Sequence, residues 1–185
     1  MKLFLDTAND DFVIAAFDNN FNLVYSEVIK KYQKKVELIP TSIKKMLEKL
    51  HISIDCFDEF YTNLGPGYFT GVRISLVYLR TIATIKKIPI FTISSMQIMS
   101  QQKKEKDSFF INAKGEKYFE FIRSSDSFNV SQISCKQGVK DEYDEINYDN
   151  FLNNFKDFRS LFKSYKNNND IEPYYIKLPQ IGAKK

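Results

Sequence analysis

At 185 residues the chain is long enough for one domain or for two small lobes sharing an interface, and 43% apolar residues suffice for a sizeable core. A net charge of +4 is too mild to argue for a DNA-binding module, since such modules are usually far more basic. The two cysteines, Cys56 and Cys135, form no CxxC or zinc-type spacing, so free thiols in a reducing compartment are expected.

The runs "KLFLDTA" (2–8), "FVIAAFD" (12–18) and "LVYSEVIK" (23–30) are β-rich and separated by Asn/Asp clusters, which predicts a three-stranded antiparallel meander. Over residues 36–51 the period changes. Leu38, Ile39, Ile43, Met46, Leu47 and Leu50 share one helical stripe, while Lys44, Lys45, Glu48 and Lys49 lie opposite. Pro40 is expected in the first turn of this helix, where a missing N–H does no harm. His51, the single histidine, stands at the helix end, where it is expected to cap carbonyls; alone it cannot build a two-histidine metal site.

"CFDEFYTNL" (56–64) returns to strand, a glycine-rich loop follows, and residues 70–86 read as a second helix. "IPIFTIS" (88–94) is a fifth strand and "SMQIMSQQ" a short helix. The charge run "KKEKD" (103–107) reads as solvated and marks a boundary between lobes at 1–102 and 103–185. Beyond it, "SFFINAKGEKYFEFIRSS" reads as a hairpin turning near Lys114–Gly115, and "FNVSQISC" (128–135) as a third strand. The acid-rich stretch 141–149 reads as loop. "YDNFLNNFKDFRSLFKSY" reads as a helix, with Phe151, Phe155, Phe158 and Phe162 at helical spacing. The second half thus begins like the first and stops early, a partial duplication of topology. The apolar start is broken by Asp6, and the charge-free run 88–102 is too short to span a bilayer; a soluble cytoplasmic protein is expected.

The stretch "TNLGPGYFTGVRISL" (62–76) holds Gly65, Gly67 and Gly71 between a strand and a helix. A phosphate-binding P-loop needs GxxxxGK followed by Ser or Thr, but here Val72 and Arg73 follow Gly71. The dinucleotide fingerprint GxGxxG fails by one residue, because Thr70 takes the last glycine's place, and "PIFTISS" ends in hydroxyls where that fold wants a ribose-binding acid. A rigid turn that allows close helix–sheet packing is the stronger reading, although the exposed N–H groups could hold an anion. The loop candidates for any ligand are Gly65, Gly67, Thr70, Gly71 and Arg73, and no cofactor or metal is expected. Arg73 opposes the helix dipole, so it calls for a carboxylate such as Asp6 or Asp58, or an anionic ligand or partner. Asp6 and Asp10–Asp11 read as turn-capping acids; phosphate-handling folds of this start place a glycine just after the first aspartate, and "DTAND" has none.

In the second helix Val72, Leu76, Leu79 and Ala83 form one apolar arc at roughly 100° per residue, and Ile74, Tyr78, Ile82 and Ile85 a second, nearly opposite. Such a helix is either sandwiched or exposes one face to another chain, and the partner reading is preferred. The expected interface is Ile39, Ile43, Met46 and Leu47 with Ile74, Tyr78, Ile82 and Ile85. No catalytic residue is assigned, since neither a GxSxG elbow nor a cysteine with an evident base is present.

"FLDTA", "LGPGYFTGVRIS", "IPIFTISSM", "INAKGEKYFEF" and "PYYIK" occur in the order found in the TsaB (YeaZ) family, subunits of bacterial tRNA threonylcarbamoyladenosine biosynthesis, and the chain resembles that family over nearly its whole length. The resemblance implies an α/β, actin-like (ASKHA) fold of two βββαβαβα-type lobes, the second shortened. It also implies a non-catalytic scaffold or activator. Such a subunit pairs through its first two helices with itself or with the TsaD transferase, which holds the metal and transfers the threonylcarbamoyl group onto a tRNA adenosine beside the anticodon; an ATPase, TsaE, joins them. The chain departs from the family at Tyr68 and Ser75 in the loop, at Lys34 where many members have histidine, and at Asn112 where they have aspartate. An enzyme of its own, either nucleotide-dependent through GxGxxxG or a glycoprotease-like peptidase, is the alternative.

Overall fold

In a computed structural model, residues 1–124 and 127–176 are described. Strands β1 (Lys2–Asp6), β2 (Phe12–Phe17) and β3 (Leu23–Ile29) form the expected antiparallel meander. β4 (Glu59–Asn63) and β5 (Ile90–Ile93) continue it in parallel, giving the order β3-β2-β1-β4-β5. Every residue of β1 and β2 is buried, the pattern of strands covered on both faces.

The pleat sends alternate residues to opposite layers. Leu3, Leu5 and Ile14 pack with Ile39, Ile43 and Met46 of α1 (Lys35–Leu50) and with Leu76, Leu79 and Ala83 of α2 (Phe69–Lys86). Phe4, Val13 and Ala15 pack on the other side, where Met96, Ile98 and Met99 of α3 (Ser95–Gln102) meet α4 (Tyr148–Asn153) and α5 (Phe155–Phe158). The same layer takes in Phe109, Phe119 and Ile133 from a second sheet, β6 (Ser108–Asn112), β7 (Lys117–Ile122) and β8 (Ile133–Gln137), ordered β6-β7-β8. Lys114 and Gly115 have φ of 57° and 64° in the β6–β7 turn.

Some expectations need correction. α1 starts at Lys35, so Pro40 is its sixth residue and lies beyond the first turn. The ring removes the N–H that would bond the Val36 carbonyl; Val36 is 58% exposed, so water can take that role. Ile54–Cys56 is a 3-10 turn before β4, and Val130–Gln132 another before β8. The phenylalanine-rich helix is broken at Asn154, and beyond the 3-10 turn Arg159–Leu161 the chain turns extended, with Lys163 bridged to Thr92. Docking against β5 outweighs helix continuation there. The hairpin stretch and "PYYIK" reach into Ser125 and Lys177, which lie outside the described residues.

Asp144 explains how a short second sheet closes its edge. Its side chain is 3% exposed and pairs with Lys103 at 2.9 Å and Lys106 at 2.6 Å. It also accepts from the Phe110 N–H at 2.9 Å, while its own N–H donates to the Phe110 carbonyl at 2.7 Å. The run 103–107 is therefore a clamp in part. Burial alone would push this carboxyl up, but the two lysines and the N–H outweigh it and hold it below its ordinary range. A carboxyl depressed on folding stabilises above its unfolded pKa of about 3.9, and that stabilisation is lost as pH falls through the folded value. Asp144→Asn should cost roughly 1–2 kcal/mol at neutral pH, discounted for half-exposed lysines, and the gap to the parent should shrink below about pH 4 in urea titrations.

Phe155 is the hub of the inner layer. Its ring lies 4.2 Å from Phe17, 5.2 Å from Tyr61 and 5.4 Å from both Phe151 and Phe162, centroid to centroid. Phe155→Ala should lower unfolding free energy by about 3–5 kcal/mol. A loss under about 1 kcal/mol by chemical denaturation would contradict this packing.

Candidate functional site

The glycine loop is filled by the chain itself. A Cβ on Gly67 would sit well inside 3.0 Å of the Ala8 carbonyl, and one on Gly71 equally close to the Thr7 carbonyl. Thr7 donates its hydroxyl to the Gly71 carbonyl at 2.6 Å and accepts from the Ser75 N–H at 3.3 Å; the Tyr68 N–H donates to Ala8 O at 2.8 Å. Gly65 has φ +97°, precedes a cis peptide to Pro66, and its carbonyl accepts from Ser94 Oγ and the Ser95 N–H, both at 2.8 Å. The glycines thus admit the backbone of "DTA" where a phosphate loop would admit a ligand.

Beneath the loop is a buried polar network. Asp6 is fully buried; it accepts from the Ala8 N–H at 2.8 Å, Asn63 Nδ2 at 2.9 Å and the Tyr148 hydroxyl at 2.7 Å. Asn63 also bonds Ser95 Oγ at 2.8 Å and the Gly65 N–H at 2.9 Å. Lys35, 4% exposed, donates to the carbonyls of Thr7 and Asn9. Burial pushes the Asp6 carboxyl up despite those donors, and pushes the Lys35 amine down. Nothing in the local pattern marked Lys35, Asn63, Ser95 or Tyr148, because they converge only through the sheet.

Above the loop lies a cleft of about 590 Å³, lined by Tyr32, Tyr68, Phe69, Tyr174 and Tyr175 with Asp10, Lys35, Thr70 and Lys114. Tyr68 donates its hydroxyl to Asp10 at 2.9 Å; burial and that bond push its pKa well up. Lys114 Nζ lies 3.9 Å from the centre of the Tyr68 ring. Thr70 is exposed at the start of α2. Among the described residues no group of three His, Cys, Asp or Glu could hold a metal ion.

Arg73 does not pair with either expected carboxylate. Asp6 is engaged as described, and Asp58 bonds Lys2 at 2.8 Å and the N-terminal amine at 3.3 Å. Arg73 is exposed, with its guanidinium 4.9 Å from the centre of the Phe69 ring, and no carboxylate among the described residues forms an ion pair with it. His51 ends α1 in the left-handed region, and its backbone N–H, rather than its ring, caps Glu48 and Leu47.

The expected interface residues divide. Ile39, Ile43 and Met46 are 1%, 5% and 0% exposed and belong to the chain's own core, so they are not available to a partner. Leu47, Ile74, Tyr78 and Ile82 are half-buried against the same layer, and Ile85 is 74% exposed. Val77, at 57%, joins it on the open side of α2 and was missed by the two-arc reading. α2 is thus covered on more of its surface than two opposed arcs implied: Tyr165 and Tyr174 pack into the same layer, and Arg80 donates to the Ile171 carbonyl. Among the described residues no helix is long and apolar enough to cross a membrane.

A family model for TsaD, tRNA N6-adenosine threonylcarbamoyltransferase, matches residues 26–117. A tRNA threonylcarbamoyladenosine biosynthesis protein TsaB from Buchnera aphidicola (Schizaphis graminum) is 32% identical over 66% of this chain and 61% of its own length. YeaZ from Pseudomonas aeruginosa superposes with a TM-score of 0.56 at 18% identity, covering 67% of this chain and 61% of that one. The chain is thus similar in sequence to TsaB proteins and in fold to YeaZ. The chain spans less than two thirds of the length of that Buchnera relative. An uncharacterized Mycoplasma pneumoniae protein, the MG208 homolog, aligns at 24% identity over 96% of this chain and 95% of its own. The actin-like fold with a smaller second lobe is the one shared with YeaZ.

Close approach at Gly71 sets a test. Alanine has the better helix propensity by about 1 kcal/mol, so propensity alone predicts that Gly71→Ala stabilises α2. The clash with the Thr7 carbonyl reverses the sign, and a net loss of about 1–3 kcal/mol is expected by chemical denaturation. An unchanged or raised midpoint would mean that the loop does not hold the β1–β2 turn.

Proposed function

We propose that the chain is a non-catalytic subunit supporting formation of N6-threonylcarbamoyladenosine in tRNA, residues 1–102 and 103–185 forming its first and its shortened second lobe. It pairs with a TsaD-like transferase, a TsaE-like ATPase joins them, and alone it forms a homodimer. The observation that carries the reading is the glycine loop closed on "DTA". A loop occupied by its own backbone is a scaffold element, and it launches α2 with Val77 and Ile85 facing out. The names of the Buchnera relatives support the pathway.

Exposed branched apolar side chains on a helix are a normal partner surface when grouped. Leu47 and Ile52 line a separate shallow groove beside α1. Val77→Asp and Ile85→Asp should each weaken association with a TsaD-like partner at least about tenfold, as expected for a charge forced into an apolar interface. Both sites are more than half exposed, so the thermal midpoint should hold within about 2 °C. Co-purification and sedimentation measure the first, calorimetry the second. Reconstitution of tRNA modification with and without this chain tests the role; equal product in both arms would refute it.

A further inference from the structure

We propose that the cleft above the glycine loop receives one unpaired nucleotide of an RNA strand, its base stacked on Phe69 and Tyr175 and its phosphate held by Arg73 and Lys114. The inference rests on the reading of the chain as a tRNA-modification subunit; of its residues Arg73 stands one helical turn before Val77, whereas Tyr175 lies outside α2.

The chemistry of the walls selects the ligand. Phe69 and Tyr175 are 38% and 43% exposed, with ring centroids 5.5 Å apart, so two aromatic rings stand together at the surface. Flat π-faces of this kind stack any nucleobase, and single strands supply bases with free faces where duplexes do not. A volume of about 590 Å³ accommodates one nucleotide.

The charges agree. Arg73, the fifth residue of α2, is exposed with its guanidinium against the Phe69 ring, and it forms no ion pair with a carboxylate among the described residues. A phosphate would receive the planar guanidinium in bidentate fashion. Lys114 lines the cleft from the β6–β7 turn, over Tyr68, and Arg73 stands beside the lining ring of Phe69. Asp10 is the one carboxylate lining the cleft among the described residues, and it is engaged by the Tyr68 hydroxyl. Exposed Gln33, Thr70 and Lys114 mark a mouth open to the surface, which lets a strand enter and leave; a free nucleotide is usually enclosed more fully.

The test is fluorescence anisotropy of the full chain with a labelled seven-nucleotide single-stranded RNA, a duplex of the same sequence, and adenosine monophosphate as competitor, over a salt series. The single strand should bind at least about tenfold tighter than the duplex or the mononucleotide. Tyr175→Ala and Phe69→Leu should each weaken it about tenfold, with Tyr175→Phe restoring the loss, because only stacking is retained. Arg73→Gln should lower the slope of log affinity against log salt by about 0.7, one phosphate contact on a single strand. The proposal is overturned if the mononucleotide or duplex binds as tightly as the strand, or if the variants leave affinity and slope unchanged. Pull-down of a TsaD-like partner by the Tyr175 variants, which lie outside α2, should be unaffected, so lost RNA binding and lost subunit pairing are read separately.

Discussion

A carboxylate taken fully out of water must find its partners inside the protein, and Asp6 finds them on three separate pieces of chain. The Ala8 N–H comes from the β1–β2 turn, the Asn63 amide from the end of β4, and the Tyr148 hydroxyl from α4, 142 residues along the sequence. Removing one partner from a buried charged group leaves an uncompensated cost of several kcal/mol, so each bond holds its element in place. The network thereby pins the second half of the molecule onto the carboxyl ends of β1 and β4. In open α/β sheets that edge is where ligands ordinarily bind.

Here that edge is occupied from within. Thr7 and Ala8 run through the space that Gly67 and Gly71 leave open, and Ser94 and Ser95 secure the Gly65 carbonyl from the far side. The consequence is a rigid joint between β1, the loop and the first turn of α2. The space open to a ligand moves outward, to the aromatic and cationic cleft above the loop, while Val77 and Ile85 stay exposed on the open side of α2. Joint and cleft therefore depend on one piece of packing.

The second lobe shows how a short sheet can still be stable. Three strands expose a backbone edge, which is a pairing hazard unless something covers it. Asp144 covers part of it, bonding Phe110 on both its N–H and its carbonyl and drawing in Lys103 and Lys106. Phe151, Phe155 and Phe158 fill the layer between the two sheets, so the lobes share a core and the charge run at 103–107 does not separate two cores.

Local pattern decided much of this protein. The period-two runs, the amphipathic α1 and the turn at Lys114–Gly115 were legible because strand pleat, helix pitch and turn chemistry act over a few residues. The motif order was specific enough to point to the family. Tertiary structure alone decided which apolar residues were spare: Ile39, Ile43 and Met46 share the stripe of Leu47, yet a sheet five strands wide buries them and leaves Val77 and Ile85 out. It also broke the phenylalanine helix at Asn154 and left Arg73 without Asp6 or Asp58. Glycines in sequence announce a close approach, but what approaches is a matter of long-range geometry, and here it is the chain's own Thr7 and Ala8.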